Sequence, residues 1–371
     1  MEQTDSLPGK KGEILVAATT LSPELMKALH EGLVIPAHPL ALDENRRLDE
    51  KYQRALTRYY AASGAGGIAI GVHSTQFEIR DPEHNLFEPV LRMAAEEIAK
   101  ANIDRPFNKV AGVCGPTEQA VEESRLAQSL GYDAVLLSMG GLVDWSEQDI
   151  LDRTKQVAGI MPVIGFYLQP SVGGRIFSFD FWCQFAEIPN VVAIKMAPFN
   201  RYQSIDVARA ICYSSRRDEI ALYTGNDDNI INDLLTTYRF EVNGEVVEKA
   251  VVGGLLGHWA VWTKKAVELL EEIKLARVHG EIAKEWLTRN IQVTDTNAAF
   301  FDPAHQFAGC IPGIHEVLRR QGLMRGIWCL NPHEELSPGQ MEEIDRVYRD
   351  YPHLHDDEFV AVHLTEWLEH K

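Results

Sequence analysis

Lys195 closes the run Val191-Val-Ala-Ile-Lys195, which lies between Pro189 and Pro198. A short apolar run bounded by prolines predicts a strand buried on both faces. Lysine is seldom fully buried unless something uses it. At the end of such a strand its ammonium loses hydration, so the amine becomes a nucleophile near neutral pH, as a Schiff-base lysine must be. The same residues also fit a lysine that ends a strand and reaches water over a packed stem. Tyr167 ends the preceding apolar run, Val163–Tyr167. On neighbouring strand ends, a phenol beside an amine can relay protons during carbinolamine formation and C–C bond cleavage. A tyrosine that fills or caps the core is the alternative.

Further polar groups fall at other strand ends. Gly71-Val-His73-Ser74-Thr75-Gln-Phe77 offers hydroxyls, free amides and an imidazole suited to a carboxylate, and His73, Ser74 and Thr75 are its candidate anchors. A satisfied structural histidine fits there too. Asp227 could accept hydrogen bonds from substrate hydroxyls, or it could cap the following helix. In Gly253-Gly254-Leu-Leu-Gly257-His258-Trp259, Gly254 and Gly257 would let backbone approach a ligand, with His258 beside them. Crowding at a rim explains the same glycines. His353-Leu-His355-Asp-Asp-Glu resembles a metal-ligand string, but a solvated terminal segment lacks the rigid convergence a metal needs. No metal and no organic cofactor is expected.

The elements that must position these groups alternate. Strands are predicted at Leu33–Ala37, Ile68–Val72, Val110–Cys114, Ala134–Ser138, Val163–Tyr167, Val191–Lys195, Ala221–Gly225 and Val251–Leu256. Amphipathic stretches separate and follow them: Arg47–Ser63, Pro89–Ala101, Thr117–Leu130, Ser146–Ala158, Phe179–Ala186, Ile205–Ser214, Asn226–Thr237 and Val261–Arg277. Apolar strands alternating with helices predict a parallel sheet, and eight repeats predict an α/β fold closed as a (β/α)8 TIM barrel. An open doubly wound sheet is disfavoured, because no glycine-rich phosphate loop follows a strand. Gly64-Ala-Gly-Gly67 precedes its strand and reads as a helix-to-strand turn. Asn243-Gly244 predicts a small hairpin inserted before strand eight. The expected organisation is an N-terminal extension over 1–30, the barrel over 31–277, and a C-terminal helical region and tail over 278–371. Within the extension, residues 1–12 read as a loose tail and 13–30 as a short strand and a helix. Beyond the barrel the pattern is helical to about Leu336, then one helix and an acidic tail.

The chain has 371 residues and a formal charge of −18, with 45% hydrophobic and 24% charged residues. Such a balance argues against nucleic acid or an anionic membrane as partner. The five cysteines are scattered with no CxxC pair, which fits a reducing, cytoplasmic setting. The first residues lack a signal-peptide core, and no apolar run is long enough to span a bilayer.

From about Gly32 to Leu336 the chain resembles the dihydrodipicolinate synthase and N-acetylneuraminate lyase family of class I aldolases. Pro162-Val-Ile-Gly-Phe-Tyr167-Leu-Gln-Pro170 and Pro189-Asn-Val-Val-Ala-Ile-Lys195 line up without gaps with the family's Tyr-Asn-x-Pro and Pro-Asn-(Ile/Val)-x-Gly-(Ile/Val)-Lys motifs. Gly225-Asn-Asp227, Ala111–Thr117 and Leu336-Ser-Pro338 match further family elements. The resemblance implies Lys195 as the Schiff-base lysine and Tyr167 as its proton relay. It also implies a small 2-oxo acid substrate and a homo-oligomer, dimer or tetramer. Departures are specific. The family's Gly-Thr-Thr-Gly-Glu loop is Gly71-Val72-His73-Ser74-Thr75, so Val72 replaces a relay hydroxyl and His73 stands at a carboxylate anchor. Gly140-Gly141-Leu142 replaces the synthases' Pro-Tyr-Tyr, removing the tyrosine lent across a subunit interface. Val172 replaces the synthases' arginine, with Arg175 nearby.

The expectation is therefore a Schiff-base-forming lyase, of aldolase or dehydratase type, acting on a 2-oxo acid such as pyruvate, and not a true dihydrodipicolinate synthase. Trp259, His258, Phe77 and Phe199 suggest an aromatic pocket or, equally, rim packing. A relative that binds or senses a small carboxylate without turnover is the alternative. A metal-dependent barrel hydrolase would need His38, His73 and His258 to converge.

Overall fold

The computed structural model describes residues 18–369; the N-terminal tail and short strand expected before residue 18 lie outside them. The chain opens with α1 (Pro23–Glu31), β1 (Val34–Pro36), α2 (Glu50–Ala62), β2 (Gly67–Ile70), α3 (Phe87–Lys100) and β3 (Asn108–Val113). It continues through α4 (Thr117–Ser129), β4 (Ala134–Leu137), α5 (Glu147–Ala158), β5 (Val163–Leu168), α6 (Phe179–Ala186), β6 (Val191–Ala197) and α7 (Arg201–Tyr213). Then come β7 (Ala221–Thr224), α8 (Ile230–Leu235), β8 (Thr237–Val242), β9 (Glu245–Leu256) and α9 (Thr263–His279). The last helices are α10 (Glu285–Phe301), α11 (Cys310–Arg320), α12 (Gln340–Asp350) and α13 (Asp357–Glu369).

Eight parallel strands run in the order β1-β9-β7-β6-β5-β4-β3-β2. The ring is completed where Ala37 bridges Ala69, with His38 N donating to Ala69 O at 2.8 Å and Gly66 N to Val34 O at 3.0 Å. This is the (β/α)8 barrel that the alternation predicts. All seven residues of β6 are buried, because the barrel interior covers one face and helices the other. Successive strand residues point alternately in and out. Small and branched side chains such as Ile35, Val110, Ile164 and Val192 fill the interior. Below them, α1 stoppers the barrel: Tyr223 Oη donates to Leu29 O at 2.8 Å and accepts from Leu33 N at 3.1 Å.

Three expectations are corrected. The Asn243-Gly244 turn forms, at φ +53° and +85°, which suits a type I′ hairpin. However, the hairpin's second arm is not separate from strand eight: β9 runs unbroken through twelve residues, pairing with β8 outside the barrel and with β7 and β1 inside it. The helix expected over Asn226–Thr237 is the six-residue α8, because Gly225–Asn229 is used to build the barrel mouth. The acidic tail is a helix, α13, packed on α2, with the Tyr59 and Trp367 rings 5.5 Å apart.

Asp356, in that expected tail, is 3% exposed. Its carboxylate accepts from Tyr59 Oη at 2.7 Å, Lys264 N at 3.0 Å and Gln321 Nε2 at 2.7 Å. Removing it takes the acceptor from Tyr59 Oη and Lys264 N and leaves Gln321 Nε2 with Asp357 alone. Asp356→Ala is expected to lower unfolding free energy by about 3 kcal/mol, read as a lower urea midpoint at unchanged m-value.

Candidate active site

Lys195 lies on the inner face of β6, 7% exposed. Its stem passes over Gly225, where a Cβ would stand 2.5 Å from Lys195 Cε, so only glycine leaves the path open. The amine sits 4.2 Å from the centre of the Phe166 ring. Burial draws the ammonium's pKa down from 10.5 to about 8, against the opposing pull of the Asp227 carboxylate. A substantial share of neutral amine is therefore present near pH 7.5.

Asp227 follows β7, 6% exposed, and lines the same cavity. It does not cap α8, whose capping position is Asn229. Instead one carboxylate oxygen accepts from His258 N at 2.9 Å. Burial raises its pKa from 3.8 to about 7; the bond from His258 N and the charge of Lys195 only partly offset this. A carboxyl and an amine thus line one cavity, each with its pKa drawn toward neutrality by burial.

His73 and Ser74 also line it. His73 keeps part of its ring surface open, yet burial and the Lys195 charge push its pKa to about 4. It is therefore neutral at pH 7, an uncharged imidazole rather than a cation. Ser74 Oγ donates to Ala37 O at 2.9 Å and retains its lone pairs. Thr75 is not available: Oγ1 donates to His38 O at 2.7 Å and accepts from Gly71 N at 3.0 Å. It ties the loop to β1 and does not face a ligand.

The other predicted groups divide. Gly257 lines the cavity. At Gly254 a Cβ would meet the Trp259 ring at 2.6 Å, so that glycine makes room for packing. The His258 side chain turns away and stacks on Phe300 with centroids 5.7 Å apart; its contribution is the backbone N–H to Asp227. The three histidines a metal hydrolase would need do not converge, since His38 is held between Thr57 Oγ1 and Pro39 O. Among the described residues one group has metal-ligand spacing, Asp81, Glu83 and His84, and it shares nothing with the cavity.

Tyr167 is the main departure from expectation. In the β5–β6 pairing Phe166 faces Lys195 and Tyr167 faces Met196. Phe166 therefore points into the barrel and Tyr167 points out, against Trp182 and Phe177 at centroid distances of 5.0 and 5.9 Å. Its hydroxyl meets Phe177 N at 3.4 Å. The structure does not bring the phenol and the amine together. Tyr167→Phe is accordingly expected to change reaction rate less than about threefold, whereas losing a true proton relay costs about 10²-fold or more, measured as kcat. Arg175 does not reach the cavity either; it donates to Leu142 O at 3.1 Å and Trp145 O at 2.7 Å.

Of the groups that cover the cavity, the sequence singles out Phe199 alone. Phe301, Phe307, Cys310 and Ile314, from the region after the barrel, close one side of the cavity, and Phe199 closes another. About 60 Å³ inside is open to the centre of a water molecule. That is enough for a few waters or one short acid.

Comparison with known proteins adds the following. The model of the dihydrodipicolinate synthetase family matches residues 31–238. The 4-hydroxy-tetrahydrodipicolinate synthase of Clostridium novyi is 29% identical over 141 residues, which cover 37% of this chain and 46% of that protein. The N-acetylneuraminate lyase of Citrobacter koseri is 24% identical over 206 residues, 54% of this chain and 65% of that protein. The chain thus spans roughly half to two thirds of the length of the curated relatives it matches. Among solved structures, dihydrodipicolinate synthase from Oceanobacillus iheyensis superposes with a TM-score of 0.69 at 17% identity, over 89% of this chain and 99% of that one. N-acetylneuraminate lyase from Fusobacterium nucleatum complexed with pyruvate gives 0.68 at 17% identity, over 88% and 99%. At these identities the likeness is one of fold.

Proposed function

Since the chain belongs to the dihydrodipicolinate synthetase family, we propose that it is a lyase that forms an imine between Lys195 and a short 2-oxo acid such as pyruvate. The observation that carries this is a buried, partly neutral amine at the barrel mouth. The amine attacks the ketone, and the carbinolamine loses water with a proton supplied by the Asp227 carboxyl. The Asp227 carboxylate so formed takes the C4 hydroxyl proton as the C3–C4 bond breaks and its electron pair passes to the iminium, or takes a C3 proton to yield the enamine for the reverse condensation. His73 and Ser74 hydrogen-bond the substrate carboxylate. No bound cofactor enters these steps, because the iminium is itself the electrophile.

The test is borohydride reduction in the presence of pyruvate. A reduced pyruvate adduct on Lys195, found by peptide mass mapping, is expected. No adduct with pyruvate or any other short 2-oxo acid would sink the proposal.

Binding without turnover is the second possibility, favoured by the outward Tyr167 and by Val72 in place of a hydroxyl. Calorimetric binding of pyruvate with no trapped adduct would select it. A homo-oligomer is part of the proposal, because Val143 and Ile176 beside Gly140-Gly141 are 70% and 62% exposed. Light scattering reads the assembly directly. Among the described residues no helix is long and apolar enough to cross a membrane.

A further inference from the structure

We propose that Phe199 and Phe307 form an aromatic gate over Lys195 that selects an aromatic aldehyde as the second substrate. This rests on the imine chemistry above and specifies its acceptor.

The first support is the cavity's chemistry. Among the described residues, no lysine or arginine but Lys195 lines it, and His73 is neutral. A phosphate or second carboxylate on the acceptor would enter without a counter-charge. A polyol would need several hydrogen-bond partners, and beyond the imine-forming groups the cavity offers little more than Gln169. What remains is carbon surface, which pairs with an apolar acceptor.

The second is the backbone that aims the two rings. Phe199 has φ +50° and Phe307 φ +66°, the left-handed region that bulky residues rarely adopt. Asn226 Oδ1 holds the first by accepting from Phe199 N at 3.0 Å, and is itself fixed where Asn226 Nδ2 donates to Asp233 at 2.8 Å. The second sits in a loop where Asp302 and Gln306 are also left-handed, at φ +56° and +57°. Phe307 N donates to Asp302 O at 3.0 Å, and the Asp302 carboxylate accepts from His305 Nδ1 at 2.6 Å. Such strain persists only where surrounding structure enforces it, and here it directs both rings to one place. They meet edge to face, centroids 5.9 Å apart at 77°. Separating them offers two π faces to a third ring.

The third is space. The space beside Lys195 is of the order of a short acid, and Phe199 and Phe307 both border it, so parting these rings would add the room an acceptor needs. In condensation, the enamine C3 attacks the aldehyde carbon and forms the C–C bond. The carbonyl π pair moves to oxygen, which takes the Asp227 proton. Water then cleaves the imine, freeing the amine and a 4-hydroxy-2-oxo acid. Cleavage is the same sequence reversed.

The full-length enzyme is first trapped with pyruvate and borohydride. Condensation of pyruvate with benzaldehyde, glyceraldehyde and succinate semialdehyde is then compared as kcat/KM. Benzaldehyde is expected to lead both others by at least about tenfold. Phe307→Ala and Phe307→Leu are expected to lower the ratio of benzaldehyde to glyceraldehyde by about tenfold. General damage to the fold would depress both aldehydes alike and leave the ratio unchanged. If the adduct forms but benzaldehyde does not lead, or the ratio survives both substitutions, the gate is refuted and the imine chemistry stands. If no adduct forms, both proposals fall.

Discussion

Lys195→Met is expected to abolish the trapped pyruvate adduct and to lower kcat/KM by at least about 10³-fold, since among the described residues no other amine lines the cavity. Stability should move differently. The folded pKa lies below the ordinary lysine value, so the neutral amine's contribution is fully present above about pH 10.5 and is lost as pH falls through about 8. At pH 7 the buried ammonium is therefore a net cost. Methionine removes that cost while keeping the stem's packing, and the thermal midpoint at pH 7 should be no lower than that of the parent. Calorimetry beside the trapping assay separates loss of chemistry from loss of fold. A variant that still formed the adduct would place the nucleophile elsewhere.

Asp227→Asn is expected to lower kcat by about 10² to 10³-fold, the usual worth of one positioned acid or base. Its pH profile is the sharper measurement. In the parent, Asp227 and Lys195 share protons, so rate should fall below about pH 7 and above about pH 8. These limits belong to the pair, not to one residue each. The groups facing Asp227 are Lys195 from β6, Asp228 beside it, His258 N after β9, and the Cys310 thiol of α11. In the amide variant only the amine titrates, and without the carboxylate's pull its pKa drops further. The alkaline fall should vanish, leaving a single acid limb set by the amine alone. An unchanged bell would show that another acid does the work.

The contrast between Lys195 and Tyr167 shows what a sequence can carry. The strand ending in Lys195 was legible because burial on both faces leaves a continuous apolar run. The same continuity hid Tyr167's direction. In Val163-Ile-Gly-Phe-Tyr-Leu168 no polar alternation marks the inner face, and a one-residue change of register exchanges the two faces. The β5–β6 pairing shifts register between Val163 and Ile164, and the phenol finishes outside. Asp227 was found as a polar group at a strand end, but its partner His258 N is 31 residues away. Phe199 stands among the aromatic candidates, but Phe301 and Phe307 do not, because they lie beyond the barrel's alternation and nothing local marks them as facing Lys195. Asp356 read as part of an acidic tail because its partner Tyr59 lies 297 residues earlier.

Four of the residues that dry the cavity come from beyond α9. A chain ending near Gly280 would keep the strand that bears Lys195 but lose that cover. Partly rehydrated, its amine would move from about 8 back toward the ordinary lysine value, and fewer molecules would hold it uncharged at pH 7. Basicity is thus tuned by a segment outside the closed ring, the same one that carries Phe307. New acceptor ranges could be engineered in that appendage without disturbing the barrel, provided each redesign still keeps water out.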